Sequence, residues 1–132
     1  MNLLPSKVVM QNGTPHAEVV DGQGELNHLR FSQAGMEAWA GREIILGIRP
    51  EAITDPEGAD RKSGNIQRLR NAVAVTEPAG SDTYVTMSLC GRDCIARMRA
   101  DAEVRPGQMF EFAVNMDKAV AFDPKTEARI VV

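Results

Sequence analysis

The stretch Lys7 to Val20, KVVMQNGTPHAEVV, decides how the rest of the chain is read. Lys7-Val8-Val9-Met10 is a short β-prone run, and Asn12-Gly13 behind it suits the two positive-φ positions of a type I′ hairpin turn. Pro15 to Val20 is then the returning strand. Working outward, Asp21-Gly22-Gln23-Gly24 is a second turn, leading into Glu25 to Leu29. Leu69 to Thr76 reads as a strand closed by Pro78 and Gly80. Thr83 to Leu89 alternates, with Val85, Met87 and Leu89 on one face and Tyr84, Thr86 and Ser88 on the other. Gly91 turns the chain into Cys94 to Arg99, and Pro106-Gly107 precedes the alternating Phe110, Phe112 and Val114. A last run, Ala119 to Phe122, stops at Asp123-Pro124. Ser32 to Ala40, with Met36 and Trp39 three apart, is the one place open to a short helix, or equally to a loop that tucks the tryptophan under a sheet. Many short strands with almost no helix predict an all-β protein, an OB-fold-like small barrel or barrels of antiparallel strands.

Arg42 to Ile48 is a nearly continuous apolar strand, expected to be covered on both faces. Pro50 has no amide donor and biases Arg49 away from helix, so the ladder should end there. An Arg49–Glu51 pair leaving such a corner would brace it through nearby backbone. Residues 55–65 are polar and aperiodic. They divide a single domain, 1–132, into expected lobes 1–54 and 66–132 that share one core.

Composition narrows the function classes. The chain of 132 residues is 43% hydrophobic and 25% charged, the profile of a globular domain. No apolar run approaches the roughly 20 residues needed to span a bilayer, and the N-terminus lacks the layout of a secretory signal, so cytosolic surroundings are expected. A net charge of −3 and an aromatic content of 5% argue against the basic groove and stacking platforms of a nucleic-acid binder. Arg61, Lys62, Arg68 and Arg70 cluster, but around the polar loop. There is no GxSxG, GxGxxG or GxxxxGK[ST] sequence, and the acidic residues sit in turns and on polar faces, so no catalytic, cofactor-binding or metal-ligating residue is expected. His16 and His28 stand apart from one another. Cys90 and Cys94 would approach each other if Gly91-Arg92-Asp93 were a hairpin turn. A reducing compartment disfavours a disulfide, two thiols fall short of a structural zinc set, and the pair reads as small, partly buried hydrophobes. Gly80-Ser81-Asp82-Thr83 is the most site-like loop: Ser81 and Thr83 with free amides would cradle an oxyanion, or Gly80 simply makes a tight bend.

Four stretches, in order, resemble one family. Leu46-Gly47-Ile48-Arg49-Pro50-Glu51 is similar to the LGIRPE signature of ATP-binding subunits of sugar-importing ABC transporters of the maltose (MalK-like) and glycerol-3-phosphate types. Met1-Asn2-Leu3-Leu4-Pro5 resembles the MNxLP segment that opens that family's C-terminal domain. Glu77 to Thr83 resembles its ExLGSDT loop, with Pro78 and Ala79 departing from the pattern, and Phe122-Asp123-Pro124-Lys125-Thr126 resembles its FDPxT ending. The resemblance implies a C-terminal regulatory (TOBE) domain, with Gly47, Arg49, Pro50, Glu51, Gly80, Ser81, Asp82, Thr83, Phe122, Asp123 and Pro124 as structural family markers. It implies no cofactor in this stretch, ATP and magnesium belonging to an N-terminal ATPase domain that this sequence does not contain. Implied partners are a second copy of the domain, the parent ATPase domain, the transporter's membrane subunits at the cytoplasmic face and, in some members, a regulatory protein; nucleic acid is not among them. An oxyanion-sensing module of an ABC ATPase is the alternative, and an OB-type nucleic-acid binder a second one.

Overall fold

The structure, a computed structural model, describes residues 1–130. β1 (Asn2–Gln11) and β2 (Thr14–Val20) form the hairpin read from the sequence, with Gln11 opposite Thr14. Asn12 and Gly13 take φ of 52° and 78°, as a type I′ turn requires. β3 (Leu26–Arg30) adds to β2 after a turn in which the Asp21 carboxylate accepts the Gln23 and Glu25 amides, each at 2.9 Å. β4 (Glu43–Ile48) lies on the other side of β1, and β11 (Val120–Phe122) lies outside β4. Along β1, Asn2, Leu4, Ser6 and Val8 point inward while Leu3, Pro5 and Lys7 point out, the period of two expected of a sheet with one buried face.

Two three-stranded sheets complete the fold. One has the order β5 (Ile53–Thr54), β10 (Met109–Asn115), β6 (Ile66–Ala72); the other runs β7 (Val75–Ala79), β8 (Asp82–Leu89), β9 (Arg92–Arg99). Inward residues of all three sheets, among them Leu4, Leu46, Ile53, Leu69, Met87 and Phe112, meet in one continuous core. β11, from the far end of the chain, completes the sheet of the first half by pairing Phe122 with Ile45. The chain is thus all-β and built of small antiparallel sheets, matching the fold class read from the sequence.

Three local expectations change, and one left open is decided. The strand expected over 69–76 is two strands, because the chain switches sheets at 73–74. The Val73 amide donates to the Gln108 carbonyl, whereas the Ala74 amide donates to the Thr86 carbonyl on β8. Pro78 does not close a strand but sits inside β7, where it is tolerated because β7 is an edge strand. The hairpin between β8 and β9 turns at Cys90-Gly91, with φ of 55° and 72°, so Arg92 and Asp93 belong to β9. In the segment 32–40 a single helical turn forms at Met36–Trp39. Met36 is the side chain it buries; Trp39 stays half-buried with the Arg42 guanidinium 4.0 Å above its ring.

Candidate functional site

The outer face of the first sheet gathers three of the four family-like motifs. Across it run two rows of residues, Leu3–Gly47–Val120 and Pro5–Ile45–Phe122. Gly47 is the dent in this face. A Cβ at that position would lie 2.8 Å from Met1 Sδ, 2.9 Å from Phe122 Cε2 and 3.0 Å from Val120 Cγ2, closer than packed carbon atoms approach. A side chain at 47 would therefore lift β11 and its aromatic ring off β4.

One residue further, the chain leaves this sheet. Ile48 makes the last pairing of β4, Pro50 opens a single helical turn to Ala52, and Ile53 pairs with Val114 in the second sheet. The Ala52 amide donates to the Arg49 carbonyl at 2.9 Å. Arg49 and Glu51 are exposed, and neither side chain makes a hydrogen bond or ion pair among the described residues. The expected Arg–Glu brace does not form. The corner is held by the fixed φ of Pro50 and by the burial of Ala52 and Ile53.

Asn2, in the opening motif, does what no sequence signal announced. Its Nδ2 donates to the Ile95 carbonyl at 2.8 Å and its Oδ1 accepts the Ile95 amide at 2.9 Å. The carboxamide thereby imitates one residue of a neighbouring strand against the edge of β9. Asn71 is a second such joint: wholly buried, it donates to the Ser88 carbonyl at 2.8 Å and accepts the Gly22 amide at 3.1 Å and the Ala72 amide at 2.9 Å. Asn65 likewise donates to the Arg30 carbonyl at 2.9 Å and accepts the Arg30 guanidinium at 3.1 Å.

Gly80-Ser81 forms the two-residue turn between β7 and β8, with Gly80 at φ 66° and Ala79 opposite Asp82, and Asp82-Thr83 opens β8. Ser81 is exposed at its tip, while Thr83 is buried opposite Met98. The Ser81 carbonyl accepts the Ala100 amide at 3.1 Å, and the Asp82 carboxylate lies 4.0 Å from Arg97. Phe122 to Thr126 is also a turn. Asp123 Oδ1 accepts the Lys125 amide at 2.9 Å, Thr126 Oγ1 accepts the Ala128 amide at 3.2 Å, and Ile130 donates back to the Ala121 carbonyl at 2.8 Å.

The strongest ionic contact lies in the polar loop between the expected lobes. Asp55 is buried, and its Oδ2 accepts Arg99 Nε at 3.0 Å, Arg99 Nη2 at 2.7 Å and the Gly58 amide at 3.1 Å. Burial alone would push the Asp55 carboxyl up. The Arg99 hydrogen bonds, its backbone amide and its charge outweigh this and hold the carboxyl below its ordinary value. Glu57 and Asp101 add to the pull on Arg99, whose acidity is weakened in turn, by Asp55 first. The two cysteines are free thiols. Burial pushes Cys94 up to about 12 and also raises Cys90, so neither is a thiolate nucleophile at neutral pH. His28 meets Glu18 at 3.1 Å in a cross-strand pair. Among the described residues no cluster of His, Cys, Asp and Glu is arranged to hold a metal ion.

Residues 1–53, which carry β1 to β4 and the Pro50 corner, match the family described as the MalK OB fold domain. These residues are a MalK-type OB fold domain. The sulfoquinovosyl glycerol transport ATP-binding protein SmoE of Agrobacterium fabrum is 37% identical over 98 residues, covering 74% of this chain and 25% of that protein. The ABC transporter ATP-binding protein y4oS of Sinorhizobium fredii is 32% identical over 131 residues, 98% of this chain and 31% of its own length. Further relatives are named as import ATP-binding proteins for oligosaccharides, trehalose/maltose and sn-glycerol 3-phosphate. The chain spans about a quarter to a third of the length of the curated relatives it matches. A solved structure of the cytoplasmic molybdate-binding protein ModG superposes with a TM-score of 0.58 over 93% of this chain and 96% of that one, at 16% identity, a likeness of fold. No GxxxxGK[ST] sequence is present, and the longest helical segment among the described residues is the single turn Met36–Trp39.

Proposed function

We propose that this chain is the regulatory and pairing module of an ATP-binding subunit in an importer of a sugar, polyol or glycerol 3-phosphate. Its role is to hold two such subunits together at the cytoplasmic face of the membrane, beside the transporter's membrane subunits, and in some settings to receive a regulatory protein. ATP binding and hydrolysis belong to the parent ATPase domain. One observation carries the reading: 98% of the chain aligns at 32% identity within an ABC transporter ATP-binding protein, yet accounts for only 31% of that protein. The local chemistry agrees. The family-like motifs occupy a corner, a close approach, an edge clasp and two turns, which are the parts of a scaffold.

Sedimentation of the chain over a concentration series tests the pairing. A monomer–dimer equilibrium is expected; a strict monomer up to millimolar concentration overturns it. Calorimetric titration with molybdate separates this role from that of an oxyanion sensor. Flat traces are expected, because Ser81 is exposed at its turn while Thr83 is buried in β8. Saturable heat would transfer the function to anion sensing.

A further inference from the structure

We propose that the hollow under the polar loop 55–65 is a binding site for a neutral polyol of glycerol to monosaccharide size. The site belongs to this module itself and does not depend on the pairing role. Three observations carry it: a polar hollow crossed by a tethered strap, an unpaired stretch of strand edge beside it, and opposite charges on its rim that do not meet.

The hollow, of about 220 Å³, lies where the Pro50–Ala52 turn, β5, β9 and β10 come together, and Gly58, Ala59 and Asp60 of the loop form one wall. The loop is tied at both ends. At one end Asp55 holds Arg99 and the Gly58 amide; at the other the Ser63 hydroxyl accepts the Asn115 carboxamide at 2.8 Å and the Gly64 amide donates to Asp117 at 3.0 Å. Between these ties Asp60, Arg61 and Lys62 are exposed and hydrogen-bond only within the loop among the described residues. A further wall is the outer edge of β9, which faces the Pro50–Ala52 turn and β5. On this edge Asn2 takes the Ile95 amide and carbonyl, and Asp55 takes the Arg99 amide. Arg97 lies midway and by the alternation of an antiparallel ladder also turns its amide and carbonyl outward; neither has a partner among the described residues. Backbone groups fixed in this way take their partner from solvent or from a ligand.

The rim selects the occupant. Lys118, Glu51 and Asp60 border the same hollow, and none of the three is in an ion pair among the described residues, whereas Asp55, Glu57 and Arg99 nearby are. Opposite charges that share a hollow without meeting leave a gap for a group that both donates and accepts, and a hydroxyl is such a group. The Thr54 hydroxyl and the Asn115 carboxamide add further polar atoms to the lining. An anion would meet Glu51 and Asp60 as like charges, and a metal ion would meet Lys118 and Arg97. An apolar molecule would displace water from this polar lining and replace none of its hydrogen bonds. The buried Ala52 and Ala113, with Ile66 beside them, give a small apolar patch for the C–H side of a polyol. The volume sets the size, since it falls below the roughly 300–1,000 Å³ of pockets that take drug-sized ligands.

Calorimetric titration of the 132-residue chain with glucose and with glycerol tests the site, with folding of each variant followed by its thermal melt. Saturable binding with a dissociation constant of about 1 mM is expected for a ligand of this size. Glu51→Ala and Lys118→Ala remove exposed side chains that make no hydrogen bond or ion pair among the described residues, so both should melt as the wild type does. Each is expected to weaken polyol binding about tenfold, the worth of a hydrogen bond to a charged group. Arg49→Ala, at the same corner but bordering the neighbouring hollow, should leave binding unchanged. Flat traces with both polyols at tens of millimolar would overturn the site. So would polyol binding that both rim variants retain in full, or saturable heat from glycine or sn-glycerol 3-phosphate with none from either polyol. Sedimentation decides pairing separately: a dimer that binds no polyol loses only this site, and a monomer that binds glucose loses only the pairing.

Discussion

A Cβ at position 47 sets two effects against each other. Gly47→Ala would restrict the unfolded chain and favour strand backbone, a gain of about 0.5–1 kcal/mol. It would also press on Phe122 and Val120, and overpacking of that kind costs about 1–3 kcal/mol. Met1's thioether yields cheaply; the ring and the β-branched methyl do not. Net destabilisation of about 1 kcal/mol is expected, read from urea midpoints. Arg49→Ala, by contrast, removes no side-chain hydrogen bond or ion pair among the described residues and should shift stability by less than about 0.5 kcal/mol in the monomer. Asp55 behaves as an acid-labile clasp. Its folded carboxyl lies below its ordinary value of 3.8, so between the two values the unfolded chain binds more protons there than the folded one. The clasp's contribution is therefore complete above about pH 4 and fades as pH falls through the lowered value. Asp117, held low first by the Ser32 hydroxyl, acts in the same direction. Urea midpoints measured from pH 7 down to about 2.5 should fall more steeply for the wild type than for Asp55→Asn; parallel curves would remove Asp55 from the acid response.

At the scale of elements, the joints between sheets are polar, and they are where substitution should be felt beyond its size. Asn71 reaches from β6 to the Gly22 turn of the first sheet and to β8 of the third. Asn71→Ala removes three hydrogen bonds that a wholly buried carboxamide makes to the part-buried backbone of Gly22, Ala72 and Ser88, and is expected to cost about 2–4 kcal/mol, seen as a lower melting temperature. An unchanged melt would mean that water replaces the carboxamide. The hairpins were legible in the residues because their cause is local: Asn12-Gly13 sets its own φ values. The break at Val73-Ala74 was not. Nothing in VAV distinguishes one long strand from two, and the choice falls to the carbonyls of Gln108 and Thr86, which distant segments deliver. The same holds for Asn2 and Asp55, whose partners lie 93 and 44 residues away.

The molecule as a whole should unfold as one unit. Its expected lobes share a core, and β11, from the end of the chain, pairs in the sheet built by the first half. Fluorescence of Trp39, beside the first sheet, and labelling of Cys94, buried in the third, should therefore report coincident transitions in urea. Separated midpoints would divide the chain into independent lobes. Cys94 should also react with thiol reagents only through that global opening, since burial both shields it and keeps it protonated.

By itself the sequence determined the all-β class, the type I′ hairpin at Asn12-Gly13, the alternating face of Thr83 to Leu89, the stop at Pro50 and the likeness to importer subunits. Each depends on periodicity, turn chemistry or short motifs that neighbouring residues carry. Only the tertiary structure decided which sheet each strand joins, that Asn2 and Asn71 bind sheets together, and that Gly47 is a seat for Phe122. It also decided that Arg49 and Glu51 face solvent. Those outcomes depend on groups far apart in the chain arriving at the same place, and no local preference encodes which distant partner will be there.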